Sequence, residues 1–370
     1  MRVGIHSTTT TACGIADYTR DLVAGLTDLA DVRLVPVREP CRNPVRMLPV
    51  ARALSLADVA HVQHNYGFWG RGSLSYRLAF ETLMRALTVP AVVTAHSVRP
   101  VGVDRARPWH RQGLAALLGL DTFIDRTTFA LADRVIVHSR AHRSRLVERG
   151  IPEDRVVEVM PGAPRLPGVP AGAVEQFRAA WGLGGRIVLA LFGFIQPNKG
   201  CELAVDALQH LPKEFVLMLV GGVRTEAEAW YGAQLRERIE RAGVDDRVRI
   251  TGFLARSELA AALAAADVCV LPYGADDNVS YSARLCLAAE KALLASPLGG
   301  FAELCERFGC VELFTSTRPE AIATLVHEVV RDESRRAALV DGARRYCRER
   351  AWSRVAAETA AVYRSALERR

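Results

Sequence analysis

The sequence predicts an α/β protein made of two doubly wound domains that face one another across a cleft. Two observations lead to this prediction. Short apolar strands alternate with segments of helical spacing, which is typical of a parallel sheet covered by helices on both faces. A segment rich in Pro and Gly, residues 161–185, divides this alternation into two series of similar plan.

Each series is an ordered run of strands and helices. In the first, strands are predicted at residues 2–6, 32–37, 59–64, 91–96, 134–139 and 156–160, and helices at 17–29 and 140–149. In the second, strands are predicted at 187–192, 215–220, 248–251, 267–271 and 293–296, and helices at 201–211, 226–242, 319–331, 333–350 and 353–367. We therefore expect an N-terminal domain over residues 1–165, a linker over 166–184 and a C-terminal domain over 185–352.

Length and composition exclude several classes of protein. The chain has 370 residues, of which 50% are hydrophobic and 24% charged, so it has enough apolar material for two folded domains. It has no apolar run long enough for a membrane-spanning helix. Polar residues interrupt its first apolar stretch within a few positions, which is not typical of a secretory signal. Its 8 cysteines are scattered without a CxxC pair, which is typical of reduced thiols. These features favour a cytoplasmic protein.

The net charge of +7 lies in the first half of the chain. Residues 1–165 carry 22 Lys and Arg against 15 Asp and Glu, whereas residues 166–370 carry 26 of each sign. Basic residues cluster at 99–111 and 140–149, which would suit an anionic acceptor or the surface of an anionic membrane. A solvated loop and helix face explains the clusters equally well. Nucleic acid is a weaker candidate, because the excess is modest and no binding motif is present.

Ligands of doubly wound sheets bind beyond the carboxyl ends of the strands. The strongest candidate there is the segment 192–200, a strand followed by a turn and a helix start. The Lys199 ammonium and the backbone N–H groups of that helix start would converge on an anion. The alternative is a Pro/Gly turn with a solvated lysine. Gly14, before the first helix, is a weaker signal, because such a glycine either admits a ligand or simply makes a turn.

Histidines follow or lie within the strands of the first half. His61 and His64 are three residues apart on one strand, so their side chains should point to opposite faces and not form a zinc site. His64 and His96 lie at equivalent strand ends and are expected to face one cleft. A hydrogen-bonded buried histidine is the alternative for each. That alternative is slightly favoured for His64, whereas Thr94 and Ser97 beside His96 favour a functional role.

The order and spacing of these segments resemble the retaining glycosyltransferases of family 4. The similarity covers nearly the whole chain, and no single segment is decisive. It rests on a first glycine loop at residues 13–18, a TxH strand end at 93–96, an ADxxxxxS strand at 132–139, a GRxxxxKG loop at 193–200, a VxFxG strand at 248–252, an ADxxxxP strand at 266–272 and a closing helix at 352–363.

The resemblance implies the GT-B fold, with two facing Rossmann-like domains and the segment 353–370 packing back on the first. It also implies transfer of a sugar from a nucleotide-diphosphate donor to an acceptor hydroxyl with retention of configuration, in glycan, glycolipid or natural-product assembly. No cofactor and no metal are expected, because cationic side chains and helix N-termini would neutralise the leaving diphosphate.

The resemblance also assigns site residues. The implied catalytic residues are His96 and Lys199. The implied donor ligands are Gly14, Gly193, Asn198, Lys199, Gly200, Tyr273, Asp277, Asn278 and Ser280. The implied acceptor ligands are His64, Asn65, Ser97 and Arg99.

Two positions depart from the family pattern. Phe194 replaces the Arg of GRxxxxKG, and the E-x7-E motif reads Asp277-x7-Leu285, although Ser280-Tyr281 partly resembles the Ser-Gly turn of some relatives. Two functions therefore remain open: an active glycosyltransferase, and a catalytically inactive GT-B protein that serves as a binding or auxiliary subunit. A GT-B epimerase or phosphorylase is a weaker alternative. Peripheral contact with the inner face of a membrane is also left open.

Overall fold

The chain folds into two compact units. The computed structural model describes residues 1–9, 13–37, 43–69, 73–98, 120–224, 226, 229–274 and 279–369. The first unit comprises Met1–Gly162 with Arg350–Arg370, and the second comprises Ala163–Glu349. The segment that the sequence assigns to a linker, 166–184, belongs to the second unit and contains a helix.

The first unit alternates strands and helices along the chain. Its elements are β1 (Arg2–Ser7), α1 (Gly14–Leu26), β2 (Asp31–Pro36), α2 (Met47–Leu54), β3 (Val59–His64), α3 (Ser73–Ala86), β4 (Ala91–Ala95), α4 (Leu120–Phe129), β5 (Arg134–Val137), α5 (Arg140–Glu148) and β6 (Val156–Glu158). The strands form one parallel sheet in the order β2-β1-β3-β4-β5-β6. The strand order reverses between β1 and β3, which is where ligands bind in such sheets.

The second unit repeats this plan. Its elements are α6 (Ala173–Ala180), β7 (Ile187–Phe192), α7 (Cys201–Leu208), β8 (Phe215–Val220), α8 (Ala229–Ala242), β9 (Val248–Ile250), α9 (Arg256–Ala265), β10 (Val268–Leu271), α10 (Tyr281–Ala288), β11 (Leu293–Ala295), α11 (Gly299–Phe308), β12 (Val311–Leu313), α12 (Pro319–Arg331) and α13 (Glu333–Glu349). The parallel sheet has the order β12-β11-β10-β7-β8-β9, so its reversal lies between β7 and β10.

The last helix, α14 (Trp352–Leu367), belongs to the first unit and packs on the same sheet face as α1. Trp352, Val355 and Tyr363 are buried there, and each large apolar side chain so buried contributes about 1.5–3 kcal/mol. Gly25 permits the close approach, because a Cβ atom at that position would lie 2.7 Å from the Trp352 carbonyl oxygen. The opposite face of the sheet packs against α2 and α3.

No helix in the described part of the chain is long and apolar enough to cross a membrane.

Candidate functional site

In the second unit, the loop after β7 is shaped by glycines. Gly193 has φ +144° and Gly200 has φ +65°, values that side chains rarely allow. A Cβ atom on Gly200 would lie 1.9 Å from the Pro272 carbonyl oxygen, so only glycine fits where this loop meets the end of β10. Between them, Pro197–Lys199 forms a single 3₁₀ turn that leads directly into α7. The predicted strand, turn and helix start are all present.

Lys199 lies at the point where the strand order reverses. Lys199 is 9% exposed, and its ammonium nitrogen lies 3.9 Å from the centroid of the fully buried Tyr273 ring. The loops after β7 and β10 are joined beside it, because the Gly274 N–H donates to the Asn198 carbonyl oxygen at 3.2 Å. The structure therefore brings together two loops that are far apart in sequence and holds a cation between them.

Ser280 completes this edge of the sheet. Its Oγ caps α10 by accepting from the Ser282 N–H at 3.2 Å, and it also lies 3.2 Å from the Tyr273 hydroxyl. The loop after β7 comes close to this helix start, since a Cβ atom on Gly193 would lie 3.1 Å from Ser282 Oγ. The N-termini of α7, α10 and α11 all follow strands of this sheet at its carboxyl edge, where their N–H groups and Lys199 favour an anion.

Two further residues of this edge bear on the departures from the family pattern. The Phe194 ring lies 6.0 Å from the Phe253 ring, and the guanidinium of Arg224 lies 5.2 Å from the Phe194 centroid. A cation from the loop after β8 thus stands over the residue that replaces the family arginine. Sequence reasoning missed Arg224, although the Gly221-Gly222 pair before it marked a strand end.

Leu285 is 1% exposed within α10, and Asp277 and Asn278 lie outside the described residues.

In the first unit, His96 lies just beyond β4 with both ring nitrogens close to other side chains. Nε2 is 2.7 Å from Gln63 Oε1, and Nδ1 is 3.3 Å from His138 Nε2. The Tyr18 ring, on the helix that Gly14 begins, meets the His96 ring edge to face at 4.9 Å between centroids. Gln63 and His138 are therefore part of this site. Gln63 is the penultimate residue of β3 and His138 directly follows β5, but nothing in the sequence paired them with His96.

His64 does not share this site. It is fully buried, and its ring packs against Phe80 and Phe129 at centroid distances of 5.1 and 5.0 Å. His61 contacts Tyr363 on the other face of the sheet, so the prediction that the two histidines of β3 point to opposite faces is confirmed. The expectation that the His64 and His96 side chains lie together is wrong, because successive residues of a strand alternate between faces and His96 follows the Gln63 face. The two residues meet only through the backbone, where the His96 N–H donates to the His64 carbonyl oxygen at 3.1 Å.

The remaining acceptor candidates are less defined. Asn65 and Ser97 are half-buried at the same edge of the sheet, and Arg99 lies outside the described residues, as does the basic segment 99–111. Gly14 belongs to the first unit and Lys199 to the second.

Three arginines of the basic segment 140–149 have partners within the first unit. Arg143 pairs with Glu153 at 2.9 Å, Arg145 donates to the Val98 carbonyl oxygen at 3.2 Å, and Arg149 forms a buried ion pair with Asp125 at 2.5 Å. Each of these three side chains thus has a partner within the first unit, and contact of residues 140–149 with an anionic acceptor or membrane stays a prediction.

Among the described residues, no group of three or more His, Cys, Asp or Glu is placed to hold a metal ion.

The two sheets and the lysine-bearing edge define a protein of the GT-B class. Two solved structures share the whole fold: Anabaena HepE in complex with UDP-glucose, with a TM-score of 0.74, 18% identity and coverage of 96% of this chain and 98% of that one; and sucrose-phosphate synthase from Thermosynechococcus elongatus, with a TM-score of 0.73, 18% identity and 98% coverage of both.

Sequence comparison gives the family. Residues 12–164 match Glycosyltransferase Family 4, and residues 186–332 match Glycosyl transferases group 1. The chain belongs to the family-4, group-1 glycosyltransferases.

Curated relatives are consistent with that assignment. D-inositol 3-phosphate glycosyltransferase of Xylanimonas cellulosilytica is 31% identical, and the matched segment covers 65% of this chain and 59% of that relative. The 2-deoxystreptamine glucosyltransferase of Streptomyces kanamyceticus is 27% identical, over 84% of this chain and 76% of the relative. Alpha-maltose-1-phosphate synthase of Mycolicibacterium smegmatis is 29% identical, over 83% and 80%.

Proposed function

We propose that this protein transfers a sugar from a nucleotide-diphosphate sugar to an acceptor hydroxyl with retention of anomeric configuration and without a metal ion. The bond between the anomeric carbon and the diphosphate oxygen breaks, and its electron pair leaves with the diphosphate. The acceptor oxygen forms the new bond to that carbon, and its proton passes to the departing diphosphate. The main demand on the protein is therefore to stabilise the charge that develops on the leaving group.

The observation that carries this proposal is the Lys199 ammonium, held between the loops after β7 and β10 at the point of strand reversal. Helix N-termini and a cation at a strand-reversal point suit a diphosphate. Arg224, over the Phe194 ring, offers a second positive charge on the neighbouring loop. One solved neighbour, HepE, is in complex with UDP-glucose, and another is a sucrose-phosphate synthase, which supports a nucleotide sugar as donor.

On this proposal the acceptor contacts the first unit. His96, Asn65 and Ser97 all lie at the carboxyl edge of its sheet, which makes them candidates to contact the acceptor and the transferred sugar. His64 is left out, because its buried ring packs in the apolar core.

Nucleotide binding tests the donor site directly. The melting temperature should rise with one of the uridine, guanosine, adenosine, thymidine or cytidine diphosphates, with the matching nucleoside as control. Ligand at 100 times its dissociation constant stabilises the protein by about 2.7 kcal/mol. A shift that requires the diphosphate, together with release of that diphosphate from the matching sugar donor in the presence of EDTA, would support an active, metal-independent transferase.

The second candidate is a catalytically inactive GT-B subunit. It is favoured by the buried Leu285, which provides no carboxylate for a ribose, and by Phe194 in place of an arginine. Binding of a nucleoside diphosphate without turnover of any sugar donor would favour this candidate. No thermal shift with any of the five diphosphates would contradict the proposed donor site.

A further inference from the structure

A chain of buried hydrogen-bonding groups stands behind His96. Gln63 joins His96 to His61, because its Oε1 lies 2.7 Å from His96 Nε2 and its Nε2 lies 3.2 Å from His61 Nε2. His61 in turn contacts Thr94 Oγ1 and the Tyr363 hydroxyl, each at 2.7 Å. Gln63, His61 and Thr94 are fully buried, whereas His96 is half-buried. Of these hydrogen-bonded groups, His96 is therefore the most exposed to solvent.

The other ring nitrogen of His96, Nδ1, faces His138. His138 Nε2 lies 3.3 Å from His96 Nδ1, and His138 Nδ1 lies 3.0 Å from the Val159 carbonyl oxygen. A carbonyl oxygen only accepts, so His138 Nδ1 must carry a hydrogen. Tyr18, on α1, packs against both imidazoles with centroid distances of 4.9 and 5.1 Å.

These contacts determine how many protons the two imidazoles need. Gln63 Oε1 is an acceptor, so His96 Nε2 must also carry a hydrogen. With one hydrogen on each ring, both histidines would be neutral and two lone pairs would face each other between His96 Nδ1 and His138 Nε2. A third proton between those nitrogens converts this repulsion into a hydrogen bond and gives the pair one positive charge.

We propose that Gln63 is a positioning residue for His96: its carbonyl oxygen fixes a hydrogen on His96 Nε2, so that His96 and His138 share one further proton and together carry a single positive charge. The charge lies at the carboxyl edge of the first sheet, where it would attract an anionic group of the acceptor. The role of this pair in transfer depends on the proposed function, but its protonation does not.

Proton resonances of the histidine rings test the proposal without any substrate. In the wild-type protein, His96 and His138 should titrate as a coupled pair that keeps its shared proton at pH values where His61, whose pKa burial lowers to about 3, is neutral. In Gln63→Glu, a carboxylate accepts from the same nitrogen, and the apparent pKa of the pair should rise by about one unit or more. In Gln63→Met the acceptor is lost, and that pKa should fall.

Thr94→Val is the matched control, because it removes a contact of His61 and leaves the contacts of His96 in place. It should leave the titration of the pair nearly unchanged. In turnover assays, Gln63→Met should lower kcat with little change in the affinity for the donor nucleotide, and Gln63→Glu should shift the pH profile to higher pH.

Two results would overturn the proposal. The first is a wild-type pair in which both rings stay neutral down to pH 5, because the Gln63 amide would then present its NH₂ group to His96. The second is a Gln63→Glu variant that is folded, as judged by its dispersed amide spectrum, and titrates like the wild-type protein.

Discussion

The ammonium nitrogen of Lys199 lies 3.9 Å from the centroid of the Tyr273 ring. A cation over an aromatic face gains about 0.5–2 kcal/mol, depending on its exposure to water. Tyr273 is itself held by burial and by the contact of its hydroxyl with Ser280. The ring thus helps to fix the lysine at the edge of the second sheet, and it does so without neutralising the charge of the ammonium group.

Replacement of Lys199 tests its proposed role in the transfer. We expect Lys199→Ala to lower turnover by about 10²-fold or more, because loss of one stabiliser of developing charge costs roughly 2.7–4 kcal/mol in the transition state. Lys213→Ala is the control, since Lys213 is exposed. Steady-state kinetics with the identified donor measures both variants, and near-normal activity of Lys199→Ala would place the phosphates elsewhere.

Gly200 tests the geometry of the same loop. Gly200→Ala should destabilise the protein by more than the roughly 1–3 kcal/mol typical of a strained backbone, because the new Cβ would also collide with the Pro272 carbonyl oxygen. Gly243→Ala is a matched control: Gly243 has a similar φ of +62° but no atom within 4 Å of the added Cβ. Urea unfolding of both variants separates strain from collision, and equal losses of stability would contradict the close approach.

The effect of His96 should appear in turnover rather than in nucleotide binding. We expect His96→Ala to lower kcat with little change in the dissociation constant of the nucleoside diphosphate, because His96 and Lys199 belong to different units. Calorimetry measures the second quantity. Loss of nucleotide binding in His96→Ala would instead assign this histidine to the donor site or to the stability of the fold.

Buried histidines should make the protein sensitive to acid. Burial lowers the pKa of His6 from 6.5 to about 4, so the unfolded chain binds a proton below pH 6.5 that the folded chain does not. The free energy of unfolding should therefore fall as the pH falls from about 7 towards 4, with His6 responsible for on the order of 2 kcal/mol at pH 5.

Urea unfolding at pH 7.5 and pH 5 measures this effect. His6→Gln should lose less stability between the two pH values than the wild-type protein loses, whereas His210→Gln, at an exposed position, should behave like the wild type. An unchanged difference in His6→Gln would show that His6 binds its proton in the folded state as readily as in the unfolded one.

The basic excess of the first unit predicts salt-sensitive contact with an anionic surface. Each Lys or Arg close to such a surface contributes about 1 kcal/mol, and salt screens this attraction. We expect binding to vesicles that contain phosphatidylserine to weaken as the salt concentration rises. Equal, negligible binding to anionic and neutral vesicles would favour a water-soluble acceptor. The ion pairs of Arg143 and Arg149 would contribute to such a result, because they engage these two guanidinium groups within the first unit.

Strands and amphipathic helices could be predicted because their residues follow a local period. The strands at 187–192 and 215–220 and the helix at 319–331 have the predicted bounds. The elements that were not predicted are helices α2, α3, α4, α6, α9, α10 and α11 and strand β12. In α10 the whole run 282–287 is buried, so no polar face alternates with an apolar one and the periodic signal is lost.

By itself, the sequence determined the alternation of strands and helices, the division into two doubly wound units and the glycine-lysine loop at 193–200, because each depends on residues close together in the chain. Only the tertiary structure decided which distant side chains meet. It placed Tyr273 against Lys199, Arg224 over Phe194, and Gln63 and His138 against His96, and it turned His64 into the core. The physical reason is that the order of the strands, and which helices cover each face of a sheet, are set by packing between segments far apart in sequence, which leaves no trace in the local pattern of residues.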